Sequence, residues 1–302
     1  MVYEMKKILE DFFNFTNLKK DHIMVSNKPL LITGSHRSGS TWIGKVIERS
    51  NDFIYLEEPT SLHKIEGSLS SIKYWFQYIH NSDKNMIQEL IYLNKYTLSQ
   101  NKKALFKDPL AFFSIDTFIN TLEADVLISV RHPAAFVSSL KRLGWSHDFN
   151  HFLKQKKLME TYLYPYKNEI KEFATNEKDI IDQGILLWNI INLNTLKFKQ
   201  KYPNIYIVRH EDLSLDPLNA FQKIFDYFNI PFTSTVKQYL LVTTSQKNDA
   251  EAQGNLTHQL HRNSKANIYN FKSRLTQDEI KRIKIGTETI SHIFYDKEWW
   301  GD

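Results

Sequence analysis

Short runs of consecutive apolar residues alternate along this chain with longer stretches in which apolar residues recur every three or four positions. Leu30–Thr33, Phe53–Leu56, Ala104–Phe106, Val126–Val130 and Ile205–Val208 are short and bounded by polar turns, and they read as strands. Trp42–Arg49, Ile87–Leu98, Phe112–Leu122, Ala134–Leu143, Ile180–Lys199 and Pro217–Phe228 carry the helical period. That alternation predicts an α/β fold, a parallel sheet flanked by helices on both faces. Ligands in such folds bind beyond the carboxyl ends of the strands, where Gly34 and Arg131 fall. There is no internal repeat and no linker composition, so residues 1–302 read as one domain with an N-terminal helical extension over 1–28. Two stretches resist the pattern. Residues 144–178, rich in His, Lys, Tyr and Phe, are expected to form helices outside the sheet, and 243–267, almost without aliphatic anchors, reads as a mobile loop.

Composition narrows the partners. Of 302 residues, 42% are hydrophobic and 14% aromatic, ample for a packed core. The net charge of +5 is spread along the chain; it suits an anionic ligand and lacks the dense basic stripe that nucleic acid requires. With no cysteine, disulfides and thiolate metal sites are excluded, and a reducing compartment is the simpler reading. Glu4, Glu10 and Asp11 interrupt the apolar N-terminus, which is therefore not a signal peptide. No apolar run approaches the ~18 residues of a membrane helix. The expectation is a soluble, cytoplasmic protein.

The densest chemistry lies in LLITGSHRSGSTWIGKVIE, Leu30–Glu48. A strand runs into Gly34, a turn follows, and Ser40-Thr41 opens a helix. The spacing from Gly34 to Gly39 is that of a phosphate-binding turn, but Ser40 stands where an ATP- or GTP-binding loop carries its lysine. Amide groups of such a turn and of a helix N-terminus bind phosphate whatever the side chains. Ser38, Ser40 and Thr41 add hydroxyls, and Arg37 adds a guanidinium fork suited to phosphate or sulfate oxygens. The later strand ends in Arg131-His132-Pro133 with no aspartate to hold magnesium, so a nucleotide without a γ-phosphate fits better. Ser139 follows Arg131 by two helical turns. Together they offer a guanidinium and a hydroxyl to a second anionic group.

GSHRSGSTW followed by VRHPAAFVSS resembles the sulfotransferases that use 3′-phosphoadenosine 5′-phosphosulfate (PAPS) and release 3′-phosphoadenosine 5′-phosphate (PAP). VRHEDLSLDPLNAFQKIFDYFNIPF and RNSKANIYNFKSRLTQDEIKRI extend the likeness, which spans about Leu30 to Tyr295. The resemblance implies that Arg37, Ser38, Gly39, Ser40, Thr41 and Trp42 hold the 5′-phosphosulfate, that Arg131 and Ser139 hold the 3′-phosphate, and that Arg262 and Lys265 contact the cofactor. Arg37 places the chain with the arginine-type members, as in carbohydrate, protein-tyrosine and many bacterial sulfotransferases; His36 replaces the common proline. Where a tryptophan is frequent near the C-terminus, this chain has Tyr269 and Phe271.

Sulfuryl transfer requires a base for the acceptor proton, positive charge at the leaving phosphate and in-line placement. Arg37 stays charged and acts as a clamp. FIYLEEPTS supplies the base: Glu58 lies at the offset from Arg37 that the catalytic glutamate of arginine-type relatives occupies, and strand alternation predicts that Glu57 and Glu58 face opposite ways. His63, His147 and His151 are alternative bases, and Lys107-Asp108 could orient base or acceptor. His258 and His261 lack a third ligand nearby, so no metal is expected. Trp75, Trp145 and His147, with Tyr78 and Tyr164, are the candidates for the acceptor pocket. The expectation is metal-independent transfer from PAPS to a hydroxyl or amine of a small-molecule or carbohydrate acceptor. Two rivals remain: an ATP-dependent small-molecule kinase drawing its lysine from Lys45 or Lys107, and a non-catalytic PAP-binding protein.

Overall fold

The computed structural model describes residues 27–63, 68–249 and 260–300. The chain forms a five-stranded sheet in the order β2-β3-β1-β4-β5, from Leu30–Gly34 (β1), Phe53–Glu57 (β2), Lys103–Lys107 (β3), Asp125–Val130 (β4) and Tyr206–Arg209 (β5). Every pairing is parallel. The connection after β1 runs to one side and that after β4 to the other, so a crevice opens between their carboxyl ends.

Helices cover both faces, as the alternation predicts. In chain order they are Ser40–Glu48 (α1), Lys84–Ser99 (α2), Ile115–Leu122 (α3), Pro133–Leu143 (α4), Asn150–Leu153 (α5), Lys156–Thr161 (α6), Lys167–Thr175 (α7), Ile180–Lys201 (α8), His210–Leu215 (α9), Pro217–Tyr227 (α10), Ser234–Thr243 (α11), Ser264–Asn267 (α12), Phe271–Arg274 (α13) and Gln277–Ser291 (α14). Strand alternation sorts the core. Leu30, Ile32, Leu105 and Leu127 pack with α1, α10 and α11, whereas Leu31, Phe106, Val126 and Ile128 pack with α3, α4, α8 and α14.

Two expectations are revised. Phe112–Leu122 is not one helix: Asp108 accepts from Leu110 N and Ala111 N and starts a 3-10 segment, Pro109–Ser114, before α3. The ends of the 243–267 stretch are ordered. Thr243 closes α11, the Asn263 side chain caps α12, and Arg262 N donates to Thr243 O at 2.9 Å. Residues 250–259, the rest of that stretch, and 1–26 of the proposed N-terminal extension lie outside the described residues. Among the described residues no helix is long and apolar enough to cross a membrane. Residues 144–178 do form α5, α6 and α7 beside the sheet.

Candidate active site

The turn after β1 is shaped by what surrounds it. A Cβ added at Gly34, φ 128°, would lie 2.3 Å from the Ser129 carbonyl oxygen of β4, so only glycine lets the strands approach there. Ser129 Oγ donates to Ser38 O at 2.7 Å and ties the turn to the tip of β4. Arg37 sits in the left-handed region at φ 65°, which side chains seldom occupy. That conformation presents its carbonyl to Arg131 Nη1 at 2.8 Å, while its Nε donates to Ser139 Oγ at 3.1 Å. Gly39 then leads into α1 with no side-chain cap and no acidic residue in the first turn, an arrangement suited to an anion.

A cavity of about 120 Å³ opens against this turn, lined by Arg37, Ser40, Thr41, Trp42, Arg131, His210, Arg262 and neighbours, with no carboxylate among them. Burial and the surrounding guanidinium groups of Arg131, Arg262, Arg142 and Arg274 pull Arg37 down to about 9, still charged at neutral pH. Burial, with Arg274 and Arg262, pulls Arg131 down to about 10 against the opposing Glu211. Glu211 is itself fully buried and engaged, accepting from His132 N at 3.0 Å and from Tyr295 Oη at 2.8 Å. Arg131 Nε, Trp42 Nε1 and His210 Nδ1, on residues that line this cavity, are buried without hydrogen-bond partners; the buried Ser38 and Ser139 line neither this cavity nor the next. Crowded positive charge and unanswered polar atoms in one crevice are what a multiply charged anion relieves.

A second cavity, of about 550 Å³, lies on the other side of the same turn. Arg37, Ser40 and Thr41 line both cavities and form the wall between them. Glu58, Trp75, Trp145 and His147 line the second. The Arg37 guanidinium lies 5.6 Å from the centre of the Trp145 ring system. Glu58 follows the last residue of β2 at φ 45°, so strict alternation breaks there. Glu57 and Glu58 do not diverge as alternation predicts: both reach the wholly buried Lys107 Nζ, at 3.3 Å and 2.5 Å. Glu58 is the one that lines the cavity. Asp108 accepts from Thr60 N at 2.7 Å, and burial together with the nearby Glu58 charge pushes it up to about 6.

The remaining expected residues separate. Lys265 is exposed on α12 and lines neither cavity, while Arg262 lines the first. Tyr164 is 68% exposed, Tyr78 packs against Tyr162, and neither lines the second cavity. His151 holds the Trp75 amide through Nδ1 at 3.1 Å. His63 lines the second cavity beside Trp75. His147 Nε2 is buried without a partner among phenylalanine rings. His210 escaped the sequence reading, although its place directly after β5 put it at the carboxyl edge where ligands bind. Lys45 pairs with Glu48 at 3.1 Å, and neither it nor Lys107 lines a cavity. Among the described residues, no group of three His, Asp or Glu side chains is placed to hold a metal ion.

No protein-family model matches the chain, and no curated protein matches its sequence. Solved structures do match. The sulfotransferase domain of the Synechococcus PCC 7002 olefin synthase aligns with 92% of this chain and 99% of its own, at 15% identity and a TM-score of 0.53. The sulfotransferase domain from the curacin biosynthetic pathway aligns with 86% of this chain and 97% of its own, at 15% identity and a TM-score of 0.49. A mouse sulfotransferase complexed with PAP aligns with 98% of this chain and 91% of its own, at 12% identity and a TM-score of 0.45. The fold of this chain is similar to that of a sulfotransferase domain.

Proposed function

We propose that this chain, with its sulfotransferase-like fold, transfers the sulfuryl group of PAPS to a hydroxyl or amine of a small-molecule acceptor. One observation carries the reading: Arg37, Ser40 and Thr41 form a shared wall between a cationic cavity and a larger one that contains a carboxylate. A group-transfer enzyme needs that arrangement, with donor and acceptor meeting at one charged partition. The first cavity fits the donor through its excess of guanidinium charge, its orphaned polar atoms and the absence of a Cβ at Gly39, where one would lie 2.5 Å from His210 Nδ1.

In this reading Arg131 and Ser139 hold the 3′-phosphate, and Arg37 with the amides and hydroxyls of Gly39, Ser40 and Thr41 holds the 5′ end. PAPS supplies an activated sulfuryl group whose leaving phosphate takes up negative charge. Arg37 is fixed on one side by Ser139 and through its carbonyl by Arg131, so it meets that charge without reorganising. Lys107 anchors Glu58 through Oε1, leaving Oε2 to take the acceptor proton. Asp108 fixes the backbone at Thr60 and at the start of the 3-10 segment, which frames the Glu58 corner.

Incubation with PAPS and a panel of alcohols, phenols, amines and sugars, following PAP by chromatography, tests the reading. Acceptor-dependent PAP formation that disappears in Glu58→Gln supports it. PAP binding without turnover on any acceptor, unaltered in Glu58→Gln, would instead favour a non-catalytic PAP-binding protein.

A further inference from the structure

The second cavity is walled by rings. His63, Trp75, Phe76, Trp145, His147 and His36 all line it. His36 belongs to the turn after β1, yet its ring lies 5.4 Å from Phe136, 5.9 Å from Phe76 and 6.3 Å from Trp145. His147 is set among Phe76, Phe149 and Phe152 at 5.8, 4.9 and 4.7 Å. The wall is also held in place. His151 Nδ1 accepts from the Trp75 amide at 3.1 Å, Gln155 Nε2 donates to Phe76 O at 3.3 Å, and Gln183 Oε1 accepts from the His147 amide at 2.8 Å.

The charge of this wall is low. Burial, with Arg37 alongside, pulls His36 down to about 4, and burial, with His36 next, pulls His147 down to about 3, so both rings are neutral at physiological pH. Beyond the shared Arg37, Ser40 and Thr41, the polar side chains lining the cavity are Glu58, Ser146 and the three imidazoles. Among the described residues, no Asn, Gln, Asp or Lys lines it. A sugar entering here would bury several hydroxyls against ring faces and compete for the few donors and acceptors between them, which is unfavourable. With Arg37 engaged by the donor, an acceptor bearing its own carboxylate would meet Glu58. Flat rings, by contrast, find edge and face partners on several sides.

We infer that this cavity takes a neutral, flat, largely apolar ring compound carrying the reacting hydroxyl, and that His36 is part of the wall that selects it. The inference rests on the proposed sulfuryl transfer for the fate of that hydroxyl, but not for the binding preference. One loop then serves two purposes: Arg37 to Thr41 face the donor, and the residue before them shapes the acceptor side.

Calorimetric titration of the full chain with 2-naphthol, 2-naphthoate and lactose, each with and without PAP, tests it. The expected result is 2-naphthol binding at least about tenfold tighter than either competitor. Trp75→Ala and His36→Ala should each weaken 2-naphthol about tenfold, and His36→Phe, which keeps a ring, should stay within about threefold of the parent. PAP affinity, measured on the same samples, certifies that the variants are folded. Lactose or 2-naphthoate binding as tightly as 2-naphthol overturns the inference, as does a His36→Phe loss equal to that of His36→Ala. PAP binding with no response to 2-naphthol sinks the inference and leaves the transfer reading intact. Ring-dependent 2-naphthol binding with no PAP binding does the reverse.

Discussion

The two cavities that meet at Arg37 are built by different means. The proposed donor side, about 120 Å³, is made of a glycine turn, a helix start and guanidinium groups from three separate loops, with no carboxylate among the described residues that line it. The proposed acceptor side, about 550 Å³, is made of rings contributed by residues from 36 to 147, with Glu58 the one carboxylate among the described residues that line it. Charge and close backbone approach depend on residue type and local spacing. A ring wall depends on which segments the tertiary fold brings together, so it is free to vary while the donor side stays fixed.

Substitutions on either side of the partition should therefore separate cleanly. The largest effect is expected from Glu58→Gln, which removes the proposed base: turnover should fall by about 10²–10⁴ with PAP affinity within twofold of the parent. If steady-state turnover is barely changed, the base lies elsewhere and His63 becomes the next candidate. Arg131→Ala acts only on the donor side. It removes a buried cation and its grip on the Arg37 carbonyl, and PAP binding measured by calorimetry should weaken about 100-fold. Ser139→Ala is milder, because it removes one hydrogen bond to Arg37 at 3.1 Å: PAP affinity should drop about fivefold, and turnover should fall as Arg37 loosens.

The smallest effect concerns stability. His132 is buried behind Arg131, stacked on Phe271 and edge-on to Tyr295, and neither ring nitrogen has a hydrogen-bond partner. Burial, with Arg131 close by, pulls it down from 6.5 to about 3. The unfolded chain therefore takes up this proton first on acidification. The stability His132 contributes is complete above pH 6.5 and is lost as pH falls towards 3, about 2 kcal/mol of it between pH 7 and 5. Asp108, pushed up to about 6, acts in the opposite sense between pH 3.8 and 6. Comparing His132→Phe with the parent cancels that contribution, and urea midpoints of the variant should fall less steeply on acidification. Identical slopes would mean His132 finds a partner for its proton.

Much of the lining of the cationic cavity was legible in the sequence because it is written in contiguous motifs. Gly34, Arg37 and Gly39 sit where a phosphate turn requires them, and Arg131 follows β4 directly. The five strands were equally plain, since residues buried on both faces of a parallel sheet form short unbroken apolar runs. What failed to show depends on tertiary detail. The left-handed φ of Glu58 cancels the alternation that should separate it from Glu57, and Lys107 then gathers both carboxylates. Asp108 caps a 3-10 segment within an apparently continuous helical pattern. Tyr164 sits in a segment as aromatic as that of Trp145, yet only Trp145 follows a helix end, at Gly144, that turns it towards Arg37. His36 enters its cavity through turn packing that no local pattern encodes, whereas His210, directly after β5, carried a positional signal that went unused.

Thermal unfolding with PAP, with ADP and with magnesium-ATP tests most directly whether the cationic cavity is a PAPS site. A ligand at 100 times its Kd stabilises by about 2.7 kcal/mol, which should raise the midpoint of a chain this long by about 4 °C. The predicted result is that shift with PAP, little with ADP, which lacks the 3′-phosphate, and less than about 1 °C with the same PAP concentration in Arg131→Ala. A shift with magnesium-ATP and none with PAP would contradict it and promote the kinase.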